Sequence, residues 1–192
     1  MIAIIPARKG STRIPGKNKK LFHGKPIIQY SVETAQKSAM FDEIIVSTDD
    51  DEIATIVHRV GAFPFFRSKE LSVNEVGTQE VAQDVLKNIN IDLTDFVCII
   101  YATAPLLTAD DLRRGLIMLQ SSRSLNYAYS TDMDGNDIGN FYWCRAKALL
   151  EGEPLTENYA TVPITPDRAI DINTAADWVI AEKMYRELNC GN

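Results

Sequence analysis

Histidine is nearly absent from this chain: His23 and His58 are the only two in 192 residues. Cysteine is scarce too, with Cys98, Cys144 and Cys190 widely spaced and no CxxC pair. A histidine-rich zinc site and a disulfide scaffold are both excluded, and incidental thiols of a reducing cytoplasm are expected. No apolar run approaches the ~20 residues that span a bilayer, so no membrane partner is expected. The first apolar run has no basic segment ahead of it, unlike a secretory signal, and the expected location is the cytoplasm. No linker rich in glycine, serine and proline divides the sequence, so residues 1–192 are expected to form one domain. The most telling absence is local. Between Met1 and Val32 there is no acidic residue, whereas the chain as a whole carries a net charge of −6 and has a pI near 5.0.

Seven basic residues fill that acid-free stretch: Arg8, Lys9, Arg13, Lys17, Lys19, Lys20 and Lys25. The rest of the chain is strongly acidic, which argues against nucleic acid as a partner. A positive loop on a negative protein calls for a small, local anion. The loop follows Ile2-Ala3-Ile4-Ile5 and contains Gly10, Gly16 and the turn Pro15-Gly16. A phosphate-binding loop at the end of a buried strand fits this arrangement; the competing reading is a solvated basic turn.

Short apolar runs at Ile2–Ile5, Glu43–Ser47, Phe63–Phe66 and Phe96–Tyr101 predict strands covered on both faces, as in a parallel sheet. Helical patterns separate them at Pro26–Lys37, Asp50–Val60 (closed by Gly61), Thr78–Asn88, Ala109–Gln120 with Thr108 as N-cap, and Ala175–Leu188. The alternation predicts a three-layer α/β/α sandwich with a mostly parallel, Rossmann-like sheet, whose ligands bind at the carboxyl ends of the strands. The stretch Ser121–Tyr142 is less regular: Tyr127–Ser130 could be a strand, and Phe141 and Trp143 read as buried strand residues.

Two common phosphate loops are excluded by counting. Five residues separate Gly10 from Gly16, and Lys17 precedes Asn18, whereas a P-loop needs four and then Ser or Thr. No G-x-G-x-x-G is present either. What remains is two guanidinium forks, one ammonium, the Ser11 hydroxyl and a glycine that lets backbone N–H groups approach, a set suited to a triphosphate. The run Ile5-Pro6-Ala7-Arg8-Lys9-Gly10-Ser11-Thr12-Arg13-Ile14-Pro15-Gly16-Lys17-Asn18 resembles the signature loop of cytidylyltransferases that activate nonulosonic, sialic-acid-like sugars. The similarity continues through Lys25–Ile28, Ile45–Asp49, Phe66–Leu71 and Asp171–Trp178. Tyr101-Ala102-Thr103-Ala104-Pro105 and Gly139-Asn140-Phe141-Tyr142-Trp143 look most like the pseudaminic acid branch.

The resemblance implies the nucleotide-diphospho-sugar transferase type of fold and a reaction of CTP with a nine-carbon sugar acid. It implies that Arg8, Gly10, Ser11, Arg13 and Lys17 hold phosphates and that Asn18, Arg67 and Thr78 bind the nucleotide; Arg67 could equally be an exposed loop arginine. Tyr101, Thr103, Asp137, Asn140 and Tyr142 would face the sugar. Arg8, Lys17 and Asp171 would serve catalysis. Magnesium or another divalent cation is implied, on Asp171 and Asn173, although Asn173 or Thr174 could instead be only the N-cap of the last helix. Relatives carry several dozen more residues between the positions of Tyr129 and Asp137, forming an arm that reaches a second subunit. Here only Ser130–Asn136 stands there, so either the arm is lost or the sequence skips it, and a homodimer is correspondingly in question. Alternatives are the same reaction on N-acetylneuraminic, legionaminic or 3-deoxy-octulosonic acid, a lapsed nucleotide-binding protein, and, third, a nucleic-acid module.

Overall fold

The computed structural model describes residues 1–73 and 75–189. Strand β1 (Ile2–Pro6) is buried along Ile2–Ile5 and leads directly into the basic loop. After the loop come a single 3-10 turn (Lys17–Lys19), a two-residue hairpin of β2 (Leu21–Phe22) and β3 (Lys25–Pro26), and helix α1 (Ile27–Ser38). Pro26, expected inside the helix, is its N-cap instead. Next are β4 (Glu43–Thr48), α2 (Asp51–Arg59), β5 (Phe63–Phe66), α3 (Thr78–Asn88), β6 (Phe96–Ile100) and α4 (Ala109–Gln120). Thr108 caps α4 as expected, in a reciprocal capping box with Asp111.

The later part has more structure than its sequence pattern declares. β7 (Tyr127–Thr131) and β8 (Asp137–Arg145) form a hairpin, followed by α5 (Ala146–Glu151), β9 (Tyr159–Pro163) and α6 (Ala175–Asn189). One seven-stranded sheet results, in the order β5-β4-β1-β6-β8-β7-β9. Only β8 runs against its neighbours. The hairpin turn closes itself: Asp132 Oδ1 accepts the N–H groups of Asp134 (2.9 Å) and Asn136 (2.8 Å), and Gly135 takes φ +88°.

Both faces of the sheet are covered. On one, α1, α2 and α4 supply Ile28, Val32, Ile53, Val57, Leu112, Leu116 and Leu119 against Ala3, Ile5, Val46, Phe141 and Trp143. On the other, Ala82, Val85 and Leu86 of α3 and Leu149 of α5 pack on Ile2, Ile4, Ile99, Tyr127 and Cys144. The α/β/α expectation holds. Strand β5 departs from it, being a sheet edge with Phe63 67% and Phe66 58% exposed. Helix α6 packs in a separate apolar cluster with the hairpin and α1, centred on Phe22, which makes edge-on ring contacts with Tyr30, Trp178 and Tyr185. Cys98 and Cys144 are free and fully buried, and burial pushes both thiols upward; Cys190 lies outside the described residues.

Gly115 has no conformational reason to be glycine, because it sits mid-helix in α4. Its reason is steric: a Cβ there would lie 2.6 Å from both Phe141 Cε2 and Trp143 Cδ1. Trp143 is pinned by its indole N–H donating to Leu112 O (2.8 Å) and by a stacked ring at Phe41. Gly115→Ala should therefore destabilise the protein by about 1–3 kcal/mol, despite alanine's better helix propensity. Denaturant titration should show a lower midpoint; an unchanged or higher one would mean the rings can yield.

Candidate active site

The basic loop begins where β1 ends, and hydrogen bonds fix its path. Ala7 N–H donates to Ser47 O (2.8 Å), Lys9 N–H to Asp49 Oδ1 (2.7 Å), and the buried Asn18 amide to Arg8 O (2.9 Å). Gly16 turns the chain in the left-handed region at φ +62°. Lys17 Nζ crosses to Ile172 O at 2.7 Å, tying the loop to the segment ahead of α6. Lys19 clamps the loop from outside, donating to Asp50 Oδ2 (2.9 Å) and Glu52 Oε2 (2.6 Å), while Asp50 caps α2 through the N–H of Glu52. Lys19 and Asp50 were not expected to matter; the run Thr48-Asp49-Asp50 ahead of a helix is the signal that could have found them.

A cleft of about 310 Å³ opens above this loop. Ten residues expected at a site line it together: Arg8, Gly10, Ser11, Arg13, Lys17, Asn18, Arg67, Thr78, Tyr101 and Thr103. Pro6 and Ala102, from the two motif runs, and Val76, Gly77 and Val81, which carry no sequence signal of their own, complete the wall. Gly77 and Thr78 form the start of α3, so the positive end of that helix faces the cleft.

Charge is the outstanding property of this cleft. None of Arg8, Arg13, Lys17 and Arg67 forms an ion pair with a described residue. Burial lowers the Lys17 pKa, and the charges of Arg13 and Arg8 add to this against the opposing pull of Asp171. Arg67 is not the exposed loop arginine of the competing reading: it is 9% exposed, burial lowers its pKa, and its Nε has no hydrogen-bond partner among the described residues. A buried donor without an acceptor costs roughly 1–3 kcal/mol, so the site is complementary to an anion.

The remaining expected residues stand beside the cleft. Tyr101 is the link: its hydroxyl lies 3.5 Å from Thr78 Oγ1 and its ring 5.8 Å from that of Tyr142. Tyr142 donates to Asp137 Oδ2 at 2.5 Å. The main-chain N–H of Tyr101 donates to Asn140 O (3.0 Å). Asp171 sits at the rim near Gly139, whose Cβ position would be 3.8 Å from Asp171 Cγ. Crowding by protein atoms raises the Asp171 pKa; the hydrogen bond from Asn173 and the charges of Lys17 and Arg13 act against this, and Asp137 adds to it. Asn173 Nδ2 donates to Asp171 Oδ2. The capping role falls to Thr174, whose Oγ1 accepts from Asp177 N–H (3.3 Å) while Asp177 Oδ2 accepts from Thr174 N–H (2.7 Å). Asn173 is thus not the N-cap; only its backbone N–H joins the cap, donating to Asp177 Oδ2.

A mostly parallel sheet with an anion-seeking cleft at its carboxyl ends, split by one reversed strand, defines a nucleotide-handling α/β protein of the nucleotidyltransferase kind. Residues 2–184 match the family model described as cytidylyltransferase, and the chain belongs to that family of nucleotidyltransferases. It is 32% identical to a pseudaminic acid cytidylyltransferase of Campylobacter jejuni over 96% of both chains. It is 29% identical to the CMP-N,N'-diacetyllegionaminic acid synthase of Legionella pneumophila, over 98% of this chain and 97% of that one. The first alignment extends over 222 residues, more than the 192 of this chain, so that relative carries segments without a counterpart here. Among solved structures, a CMP:2-keto-3-deoxy-manno-octonic acid synthetase complexed with CTP shares the fold, with a TM-score of 0.78 at 17% identity, over 97% of this chain and 98% of that one. Rv0371c of Mycobacterium tuberculosis in complex with manganese superposes with a TM-score of 0.68 at 13% identity, over 95% and 98%.

The clamp at Lys19 gives a pH test. Burial works against the Asp50 carboxylate, but hydrogen bonds from Lys19 and from the N–H of Glu52 outweigh it and hold its pKa below the ordinary range. A lowered folded-state pKa contributes stability above the unfolded value of about 3.9, lost as pH falls through the folded one. Lys19→Met should therefore be less stable than the parent at pH 7, and the gap should close below about pH 4. A constant gap in melting temperature from pH 7 to pH 3 would exclude the ion pair as its cause.

Proposed function

We propose that this protein joins CTP to a nonulosonic acid, most closely pseudaminic acid, giving the CMP-sugar and pyrophosphate. The observation that carries the reading is the set of four cations without ion-pair partners among the described residues, gathered in one cleft that the end of β1 and the start of α3 both line. The pseudaminic and legionaminic relatives support the choice of acid.

In this reaction the anomeric oxygen of the acid attacks the α-phosphorus, the bond to the β-phosphate oxygen breaks, and the hydroxyl proton is released. Negative charge grows on phosphate oxygens, so fixed donors and cations supply most of the acceleration. Arg8 and Arg13 offer bidentate forks to the β- and γ-phosphates, Lys17 a point charge, and Ser11 and the N–H groups around Gly10 neutral donors. Asn18 fixes the loop and lines the cleft together with Arg67 and Thr78, which would bind the nucleotide. Tyr101 and Thr103 lie between nucleotide and sugar, with Asp137, Asn140 and Tyr142 beyond.

The residues fit a divalent metal that arrives with the nucleotide. Among the described residues no cluster of three or more His, Cys, Asp or Glu side chains forms a cage. Asp171 presents a rim carboxylate whose pKa burial raises, while the charges of Lys17 and Arg13 pull the other way. One or two carboxylates plus substrate phosphates is the usual arrangement for magnesium, which would neutralise charge on the reacting phosphate oxygens. Asp171 would hold the ion. Asn173 would join it only by turning its amide so that Oδ1, rather than Nδ2, faces the same side. The turn Asp132–Asn136 stands where the resemblance implies an arm reaching a second subunit, so contacts with a second subunit are not part of this proposal.

Calorimetry should show CTP preferred over other nucleoside triphosphates. Arg8→Ala and Lys17→Ala should each weaken CTP binding by about 1.5–3 kcal/mol, roughly ten- to a hundredfold, as expected for a lost charge-assisted contact. Unchanged affinity in both variants would end the assignment. Asp171→Asn should keep metal-free CTP affinity but lose both the gain from Mg²⁺ and turnover; a magnesium response equal to the parent's would move the ion elsewhere. For Asn173→Asp, a magnesium titration of CTP binding separates two roles. A curve shifted to lower Mg²⁺ makes residue 173 a ligand, and coincident curves leave it outside the metal site.

A further inference from the structure

The carboxylate of Asp171 stands on an irregular stretch. The described residues between the end of β9 at Pro163 and the start of α6 at Ala175 form no helix or strand that would fix its place. Backbone bonds hold the first half: Ile164 N–H donates to Thr131 O (2.8 Å), and the N–H groups of Arg168 and Ala169 both donate to Thr165 O (2.9 Å). Just past Asp171, Ile172 is fully buried in the cluster of Phe22 and Trp178, and its carbonyl accepts from Lys17. Ahead of Asp171 the anchor is a side chain, the guanidinium of Arg168, which closes on Asp111 in α4.

Asp111 is 1% exposed, and both of its oxygens are engaged. Arg168 grips it as a fork, Nη2 donating to Oδ1 (3.2 Å) and Nη1 to Oδ2. Arg114 also donates to Oδ1 (3.5 Å) and holds Pro163 O (2.9 Å) at the end of β9. The same Oδ2 accepts from the N–H (3.1 Å) and the hydroxyl (2.6 Å) of Thr108 in the capping box of α4. Thr108 closes the loop that leaves β6 at Tyr101 and sets Tyr101, Ala102 and Thr103 in the cleft wall. One buried carboxylate thus joins that loop to the stretch carrying Asp171. Stability is a poor reason to keep such a pair, because apolar side chains of similar volume often do as well; a two-point fork differs from them in fixing both distance and direction.

Resting on the metal role proposed for Asp171, we infer that Arg168 is a positioning residue: through Asp111 it sets where the Asp171 carboxylate stands relative to the cleft wall at Tyr101–Thr103. Arg168 is not among the residues that line the cleft, so it acts through Asp171 and not on the nucleotide. Three residues of chain reach at most ~10 Å, so a shift at Arg168 passes to Asp171 with little slack. Without the fork, the approach to Asp171 is held from the Ile172 side alone, and the carboxylate loses its fixed distance from an ion that arrives on the phosphates. Lysine does not replace the fork, because a single ammonium cannot match both carboxylate oxygens in one plane.

Calorimetry of CTP binding with and without Mg²⁺ tests this. In Arg168→Met and Arg168→Lys, metal-free CTP affinity should stay within twofold of the parent's, while the gain in affinity from Mg²⁺ should fall at least fivefold. A merely structural role would lower the melting temperature and leave that gain intact in the folded protein. Hydrogen exchange gives a second readout that needs no metal: amides of residues 168–173 should exchange at least tenfold faster in both variants, with those of β1 and β6 unchanged. If Arg168→Met does not fold, Arg168→Lys, which keeps the charge, decides on both readouts. A magnesium gain equal to the parent's, or unchanged exchange over 168–173, would overturn the positioning role and leave the metal at Asp171 standing. A parent that gains nothing from Mg²⁺, or a gain that survives Asp171→Asn, would overturn the metal role of Asp171, and the positioning role with it.

Discussion

Like charges held together with no ion pair among the described residues govern this structure. Arg8, Arg13, Lys17 and Arg67 converge on one cleft, where the pull of Asp171 on Lys17 and of Asp49 on Arg67 offsets burial only in part. Their mutual repulsion must be resisted by something that does not quench them, since a carboxylate among them would occupy the place of the ligand. The protein resists it with neutral contacts inside and charged ones outside. Within the loop the restraints are the Asn18 amide on Arg8 O, Lys17 on a backbone carbonyl, and main-chain bonds to β4. The ion pairs are displaced to Lys19, where Asp50 and Glu52 hold the loop at a point that faces away from the cleft lining. The acidity of the remaining chain is thus compatible with a positive site.

The same constraint explains what could be read from sequence. Everything the loop needs is local: an apolar strand, two glycines, a forced turn and basic residues at fixed offsets. Local features survive reading one residue at a time, so the loop from Arg8 to Asn18 could be marked as a candidate before any fold was known, and it does line the cleft. The parallel strands and the helices between them were legible for a related reason, since apolar runs and helical periodicity are also local. Asn173 marks the limit of such reading. Asn and Thr are both good caps, and only the observed bonds separate Thr174, which accepts the helix N–H, from Asn173, which turns to Asp171.

What escaped notice depends on pairing between distant segments. β9 and α5 carry weak patterns of their own and exist because β7 and α3 give them partners. Phe63 and Phe66 were read as interior because they are apolar, but their strand ends the sheet, and strand order is not written in composition. A chain of neighbouring tyrosine rings, Tyr101 to Tyr142 to Tyr129 to Tyr159 at centroid distances of 5.8, 5.5 and 5.2 Å, is the clearest case. Tyr101, Tyr129, Tyr142 and Tyr159 are spread over almost sixty positions and share no spacing; only the register of three strand pairs brings their rings together.

Strand direction then accounts for where the two halves of the site meet. From β5 to β6 the strands are parallel, and their carboxyl ends all deliver loops to the nucleotide side. At β8 the direction reverses, so its amino end, carrying Asp137, Gly139 and Asn140, arrives beside the carboxyl end of β6. A cleft opens where neighbouring strands send their loops apart, the usual location of ligands in open α/β sheets. Tyr101 is the first residue past β6 at that division. Its backbone is fixed from both sides, its N–H donating to Asn140 O on β8 and its carbonyl accepting from Ser31 of α1. A ring held this firmly between the cation cluster and the other tyrosines can set the distance between two substrates, and the single antiparallel strand is the reason it stands there.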